Sequence, residues 1–329
     1  MSRVEHFNKL PTPTVIDMDR PAVLFSRRTA LRAGFVAFGV AAVGSCASDP
    51  PPQLRLAAGE VGGFFWEFAG LLSDAAAEQA VAEVIPLTSD GSIDNLEALT
   101  SGRAELAMTL VDAAYSHPTG DLAAVGCVYE NYFQVAVRAD SSIETVGDLQ
   151  GRRVSIGAPG SGATLVSQRI LDAAGVSETG VVSEVELSMS SAAQALSNNE
   201  VDAVMWAGGL PTPAFADPPT AIRLLDLGAV VADLRRDFGT AYEAVLVPAN
   251  VYGDHPEVTT VGIPNLLLVH PDVPDRTVSA LVGLLLDESS ALVPRQAIGS
   301  QFLDARSLVM TGTIPLHPGA EQEYRRRHG

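Results

Sequence analysis

The chain has 329 residues, 47 % of them hydrophobic and 18 % charged, which is enough apolar material for large cores and excludes general disorder. Its 39 acidic residues outnumber 21 basic ones, and the resulting net charge of −18 argues against a nucleic-acid partner. Two cysteines and six histidines without metal-ligand spacing exclude a disulfide scaffold and predict neither a metal nor a cofactor.

The N-terminal 45 residues are typical of an export signal. Six of the basic residues lie in residues 1–32, and residues 33–45 carry no charge but are shorter than the about 20 residues that span a bilayer. The pair Arg27-Arg28 resembles a twin-arginine signal, with general secretion as the alternative. We predict a signal peptide over residues 1–45, a linker over 46–53 and an extracytoplasmic location.

Cys46 follows Val43-Gly44-Ser45, and this order resembles a bacterial lipobox. In that interpretation Cys46 carries a lipid that anchors the protein to a membrane. The protein then lies at the outer face of the cytoplasmic membrane or in the periplasm. The alternative is a cleaved signal followed by an incidental cysteine. Without the signal the chain is more acidic, at −21, because the signal removes six positive and three negative charges.

Two stretches of the mature chain repeat at nearly equal offsets. Gly59 and Gly62 align with Gly157 and Gly160, and residues 98–108 align with residues 195–205. The first match has the pattern of a strand, a glycine loop and an amphipathic helix, and the second has that of a helix end, a polar turn and a short buried strand. The repeats therefore predict two similar α/β lobes.

Helices and strands alternate along the mature chain. The predicted helices are Phe64–Ala77, Asp94–Thr100, Gly162–Ala174, Ala192–Ser197, Val230–Phe238 and Asp275–Glu288. The predicted strands include Val125–Val128, Phe133–Arg138, Val181–Glu186, Ile222–Leu225, Ala244–Pro248 and Leu266–Val269. This alternation predicts mostly parallel sheets, with residues 54–138 and 245–329 in lobe 1 and residues 139–244 in lobe 2. Glycine loops and helix N-termini are expected to face a cleft between the lobes.

The glycine loop 157–164 opens a helix whose free amides, with the hydroxyls of Ser161 and Thr164, form a predicted anion site. The loop lacks the Gly-Lys-Ser/Thr ending of a P-loop, and its alternative is a tight strand–helix turn. Ser92 is placed to cap a second helix, with Asn95 three residues later. The pattern after Trp206, with Gly208 and Gly209, lets backbone approach a ligand.

No residue set indicates catalysis. Ser161 does not stand in a Gly-x-Ser-x-Gly elbow, and no histidine is placed by sequence to activate it. Glu130 and Asp202 could act as an acid or a base, but no sequence pattern supports that role, and Asp202 is better explained as a polar residue at a strand edge. We predict that the protein is not an enzyme.

Five segments in order resemble the TAXI family of solute receptors for TRAP transporters, from about residue 54 to 325. These segments are 62–66, 91–96, 157–162, 206–214 and 314–320. The resemblance implies a two-lobed α/β fold of the periplasmic-binding-protein type (class II), with the ligand cleft between the lobes. It also implies a monomeric receptor that closes on a small carboxylate and delivers it to a permease driven by an ion gradient. Motif matching places the ligand contacts at Gly62, Gly63, Phe65, Ser92, Asn95, Ser161, Gly162, Ala163, Thr164, Trp206, Gly208 and Gly209.

Departures from the family pattern predict a more apolar pocket. Phe65 and Trp66 stand where tyrosines are common, and Glu67 replaces a usual proline. Because the acidic chain repels an anion, a carboxylate would require the helix N-terminus at residues 161–164. Two alternatives remain: a receptor for an ABC importer of the sulfonate or thiamine-precursor type, and a secreted enzyme on the same scaffold.

Overall fold

The computed structural model describes residues 50–117, 122–176, 182–216, 219–296 and 303–328. The predicted signal peptide and the lipid anchor at Cys46 lie outside these residues. No helix in the described ranges is both long and apolar enough to cross a bilayer.

The first part of the described chain alternates strands with helices, as the sequence pattern predicts. Its elements are β1 (Gln53–Ala57), α1 (Phe64–Glu78), β2 (Glu83–Leu87), α2 (Ser92–Thr100), β3 (Leu106–Leu110) and α3 (Val111–Ser116). In α1, the buried residues Phe64, Phe68 and Leu72 recur every four positions, so one face of the helix packs on the sheet. Together with β1–β3, these helices belong to the predicted first lobe.

The remaining elements build a second lobe and return to the first. They are β4 (Ala123–Arg138), a short 3₁₀ helix (Val146–Leu149), β5 (Arg153–Gly157), α4 (Gly162–Ala173), β6 (Ser183–Glu186), α5 (Met189–Ser197), β7 (Ala203–Gly208), α6 (Pro213–Ala216), β8 (Ile222–Leu224), α7 (Gly228–Phe238), β9 (Glu243–Val247), β10 (Val258–Val269), α8 (Asp275–Asp287), α9 (Ala305–Leu308) and α10 (Pro318–His328). The strands join in the order β2-β1-β3-β10-β4-β7-β5-β6, with β8 paired to β4 and β9 to β10.

The pairs β1–β2, β1–β3, β5–β6 and β5–β7 are parallel, and this confirms the predicted α/β class. Two long antiparallel strands connect the lobes. The first half of β4 pairs with β10, whereas Tyr132–Val137 pair with β7 of the second lobe. In β10, residues 265–269 pair with β3 and residues 258–262 pair with β9. The predicted boundaries of the lobes stay a prediction.

The predicted strands Val125–Val128 and Phe133–Arg138 are two parts of one strand, so the separation predicted between them is wrong. Glu130 and Asn131 interrupt the apolar pattern but stay in the ladder opposite Pro264 and Ile263 of β10. Cys127 of the same strand is a buried free thiol. Tyr129 packs edge-on against Phe64 and Phe68, with ring centroids 5.1 and 4.9 Å away, and so fixes α1 on the sheet.

Candidate ligand-binding site

A cleft of about 660 Å³, open solvent at its mouth included, lies among loops of both lobes. The first lobe contributes residues that follow β1 and precede α2, and the second contributes the loop before α4, the start of α5 and the end of β7. Phe64, Phe65, Leu110, Met205 and Trp206 supply large apolar side chains to its walls. A cavity of this size and character fits a small organic ligand.

Four helices begin at the cleft. The first residues of α1 (Phe64, Phe65), of α2 (Ser92), of α4 (Gly162, Ala163) and of α5 (Met189) all line it. The N-terminal amides of a helix carry partial positive charge and lack partners within the helix, so they favour an anion. The helices α1 and α2 belong to the first lobe, and α4 and α5 belong to the second, so helix N-termini face the cleft from both sides.

The loop before α4 supplies Ser161, Gly162 and Ala163 to the cavity wall, as the motif match predicts. Ser161 is the N-cap of α4, and its Oγ accepts a hydrogen bond of 3.1 Å from the Thr164 amide. Thr164 is not among the lining residues. Its Oγ1 donates to the Ala158 carbonyl at 2.7 Å, so it fixes the turn behind the site.

Ser92 lines the cavity, but it is the first residue of α2 and Gly91 is the N-cap. The predicted capping role of Ser92 is therefore wrong. Its Oγ accepts instead from the Leu110 amide at 3.0 Å. Asn95 is fully buried and is not among the lining residues: its Nδ2 donates to the Met108 carbonyl at 2.7 Å, and its Oδ1 accepts from Ser89. Asn95 therefore ties α2 and its leading loop to β3.

Trp206 lines the cavity at the end of β7. Its Nε1 donates to Thr212 Oγ1 at 3.0 Å, and its rings stack on Phe215 at 4.0 Å, so the indole is held rigidly. Gly208 and Gly209 do not line the cavity. A Cβ at Gly209 would lie 2.4 Å from the Gln296 carbonyl oxygen, so this glycine permits close packing of two loops.

The glycine loop before α1 also contains both residues that line the cavity and residues that do not. Gly63 and Phe65 line the cavity, whereas Gly62 does not. Gly62 has a φ of 83°, a conformation that favours glycine, and its carbonyl accepts from Gln296 Nε2 at 3.4 Å. The backbone turn at Gly62 therefore sets the path of the loop that brings Gly63 to the cavity wall.

Two carboxylates at the cleft, Glu60 and Asp90, escaped the sequence analysis. Glu60 Oε2 accepts a 3.1 Å hydrogen bond from the Met189 amide at the start of α5, and this bond links the two lobes. Burial raises the pKa of Glu60, and the charge of Asp90 acts in the same direction, while the Met189 amide opposes both. No lysine or arginine stands among the described residues that line the cleft.

Asn131 is a further lining residue that the motifs did not indicate. It lies where β4 crosses between the lobes, its side chain is buried, and its Oδ1 has no hydrogen-bond partner among the described residues. The sequence feature that could have indicated Asn131 is the polar pair Glu130-Asn131 within a long apolar run. A buried amide without a partner is costly, which marks Asn131 as a candidate ligand contact.

A model of the NMT1-like family matches residues 56–327. The chain belongs to the NMT1-like family. The match covers nearly all of the mature chain and does not single out the TAXI receptors of TRAP transporters that the motifs resemble. The match therefore shows membership of the NMT1-like family but does not confirm that the chain is a TAXI receptor.

Several solved structures match this chain at low sequence identity. A structure described as a periplasmic transporter is 14 % identical, with 85 % of this chain and 93 % of that chain covered and a TM-score of 0.52. The aliphatic sulphonate binding protein SsuA from Escherichia coli is 18 % identical over 84 % of this chain and 83 % of that chain, with a TM-score of 0.47. The alkanesulfonate-binding protein SsuA from Xanthomonas axonopodis pv. citri is 17 % identical over 84 % of each chain, with a TM-score of 0.42. The first of these structures, with a TM-score above 0.5, shows the fold: the NMT1-like chain shares the two-lobed α/β fold of that periplasmic protein, as predicted.

Proposed function

We propose that the protein is an extracytoplasmic receptor that binds a small carboxylate-bearing solute in the cleft and delivers it to a membrane transporter. One observation carries the proposal: helices of both lobes begin at a single, mostly apolar cavity. Such a cavity holds the carbon skeleton of the solute against its walls and its anionic group at the helix N-termini. The export signal in the sequence supports the location.

The start of α4 is the best-defined place for the carboxylate. The described residues give the amides of Gly162 and Ala163 no acceptor, and both residues line the cavity. The hydroxyl of Ser161 lies beside them and donates to Thr164 Oγ1 at 3.1 Å, because Thr164 donates its own proton to the Ala158 carbonyl; rotation of this hydroxyl would offer a further donor to the ligand. Because no lysine or arginine lines the described cleft, these amides and the helix dipole have to compensate the ligand's charge.

Binding is coupled to closure of the lobes. Hydrogen bonds already cross the cleft: the Ile93 amide donates to the Gly160 carbonyl at 3.2 Å, and the Met189 amide donates to the Glu60 side-chain carboxylate at 3.1 Å. The strands β4 and β10 connect the lobes and are the hinge in this proposal. A solute that contacts both lobes stabilises the closed arrangement over the open one.

Two transport systems are candidates for the partner. The motif resemblance favours a TRAP permease, which an ion gradient drives. The match to the NMT1-like family gives an ABC importer of the sulfonate or thiamine-precursor type at least equal support. A permease gene of the TRAP type beside this gene would favour the first, and a neighbouring ATPase gene would favour the second. Uptake that responds to an ion gradient or to ATP would decide between them.

The proposal includes a lipid on Cys46. Incorporation of labelled fatty acid into the exported protein, and its loss in Cys46→Ala, is the expected result. Release of the variant from the membrane fraction would support the anchor. Equal labelling of the variant would contradict it and leave the receptor function untouched.

Identification of the bound solute tests the receptor function. Mass spectrometry of protein purified from the cells that make it should find a carboxylate, and calorimetry should confirm that this compound binds. Ser161→Trp should abolish that binding by filling the anion site, whereas Ser101→Trp, at the exposed end of α2, should retain it. A panel of carboxylates without binding, together with unchanged affinity of the purified solute in Ser161→Trp, would overturn the proposal.

A further inference from the structure

We infer that the solute carries a single anionic group and presents an uncharged hydroxyl or carboxamide to Asn131. The inference rests on the proposed receptor function and narrows its ligand. It joins two features of the cleft that the anion site does not explain. Among the described residues, the amide side chain of Asn131 has no hydrogen-bond partner, and the lining carboxylates have no lysine or arginine beside them in the cavity wall.

The side chain of Asn131 requires a polar partner. The residue is 4 % exposed and lines the cavity, and the structure gives its carboxamide no hydrogen bond to any described residue. Leaving a buried amide unpaired is unfavourable, because it loses its hydrogen bonds to water and gains none. A polar group of the ligand would supply those bonds when the cleft closes.

The chemistry of a carboxamide selects that group. Asn131 offers an acceptor at Oδ1 and donors at Nδ2, so a hydroxyl or a carboxamide can satisfy both atoms. An ammonium group only donates and would leave Nδ2 unpaired. A methyl group would satisfy neither atom.

The charges around the cleft exclude a second anionic group. Glu60 and Asp90 both line the cavity, and none of the described lining residues is a lysine or arginine. The helix N-termini can compensate one carboxylate, but a second would meet like charge in a partly desolvated space. The site should therefore discriminate against dicarboxylates.

Probes matched in their carbon skeleton test this inference. One series comprises succinate, succinamate, 4-hydroxybutyrate, 4-aminobutyrate and butyrate. A longer aromatic series comprises terephthalate, terephthalamate, 4-(hydroxymethyl)benzoate, 4-(aminomethyl)benzoate and 4-methylbenzoate. Calorimetry at constant ionic strength gives the affinity of each probe for the full mature protein. In at least one series we expect the amide or hydroxyl probe to bind about tenfold or more tightly than the other members.

Two variants assign the preference to its residue. Asn131→Leu should bring the amide and hydroxyl probes to about the affinity of the methyl probe, within about twofold, while the methyl probe keeps or gains affinity. Asn265→Leu is the matched control, because Asn265 on β10 is also buried with an unpaired carboxamide but does not line the cleft. It should leave the ratios unchanged.

The outcomes separate this inference from the proposed function. If no carboxylate of either series binds, the inference fails, and the carboxylate function fails with it only if the purified solute also keeps its affinity in Ser161→Trp. If the monocarboxylates bind but the dianion, ammonium or methyl probe binds as well as the amide, the inference alone is wrong. A preference that persists in Asn131→Leu, or that Asn265→Leu also removes, overturns the assignment to Asn131.

Discussion

The guanidinium Nη1 of Arg169, on α4 of the second lobe, lies 3.2 Å from Oδ2 of Asp112, on α3 of the first lobe. Tyr242 completes the group: its hydroxyl donates to Asp112 at 2.8 Å and accepts from Arg169 at 2.6 Å. Arg169 also contacts Ser116 and lies over the Phe238 ring. This cluster holds the lobes together through the helix whose N-terminus forms the proposed anion site.

Removing the carboxylate of this cluster should strongly destabilise the protein. Asp112 is 1 % exposed, and its burial raises the pKa of its carboxyl group despite the neighbouring Tyr242 and Arg169. Asp112→Ala leaves a mostly buried guanidinium unpaired, which typically costs about 3–5 kcal/mol. Urea denaturation followed by circular dichroism would measure the loss in the free energy of unfolding.

The matched control for this cluster is an exposed ion pair. Glu321 and Arg325 lie 2.6 Å apart on α10 with most of the arginine in solvent, and such pairs contribute little. Glu321→Ala should therefore leave the midpoint of denaturation unchanged. A loss of equal size in both variants would show that the Asp112 cluster has no special role.

A methyl group added at Gly162 should open the cleft. A Cβ at this position would lie 2.6 Å from Ser92 Oγ and 2.7 Å from Leu110 Cδ1, both of the opposite lobe. Since such contacts are too short, Gly162→Ala should shift the population toward the open arrangement and increase the radius of gyration in small-angle X-ray scattering. Gly70→Ala is the control, because nothing lies within 4 Å of a Cβ there. Identical scattering curves for Gly162→Ala and the wild type would contradict the prediction.

Much of the fold could be predicted from the sequence because its patterns are local. The repeated glycine loops predict the strand–loop–helix units, and Ser161 caps α4 as a serine before a helix should. The long crossing strand was missed because Glu130 and Asn131 look like a break between two strands. Their backbone pairs with β10, a partner more than 100 residues away in the sequence, which no local pattern reveals.

The motifs predicted the loops that form the candidate site, but only some of the predicted residues line the cleft. Ser161, Gly162 and Ala163 line the cleft, whereas Thr164 and Asn95 use their side chains to hold the loops that line it. A motif does not separate these two roles, because it preserves ligand contacts and loop geometry alike. The role of each predicted residue in binding stays a prediction.

Glu323 on α10 should contribute stability that depends on its ionisation. It pairs with Arg326 at 2.5 Å and Arg327 at 2.7 Å, and these hydrogen bonds, with one from Ser279, lower its pKa to about 2. A lowered pKa gives stability that is present above the pKa of the unfolded chain, 4.5, and is lost as the pH falls toward 2.

Glu323→Gln should therefore lower the free energy of unfolding at pH 7, and the difference from the wild type should shrink steadily below pH 4.5. Denaturant titrations at pH 7, 4.5 and 3 measure this trend. A deficit that stays constant across this range would mean that packing, and not ionisation, explains the effect of the substitution.

Glu130 on the crossing strand should act in the opposite direction. Burial, and then the charge of Glu243, raises its pKa from 4.5 to about 7. In the unfolded chain the group ionises at lower pH, so the folded protein holds the proton more tightly between these values. Its contribution is thus fully present below about pH 4.5 and is lost as the pH rises through 7, by on the order of 3 kcal/mol.

Glu130→Gln keeps the shape of the side chain but cannot ionise. Its free energy of unfolding, relative to the wild type, should therefore rise between pH 4.5 and 7 and then level off. Denaturant titrations at half-unit pH intervals would measure this difference, in which the titration of other groups cancels. Glu243→Gln, which removes the neighbouring charge, should shift the midpoint of the rise to lower pH. A difference that does not change with pH would show that Glu130 ionises normally in the folded protein, and a midpoint unaffected by Glu243→Gln would leave burial as the whole cause.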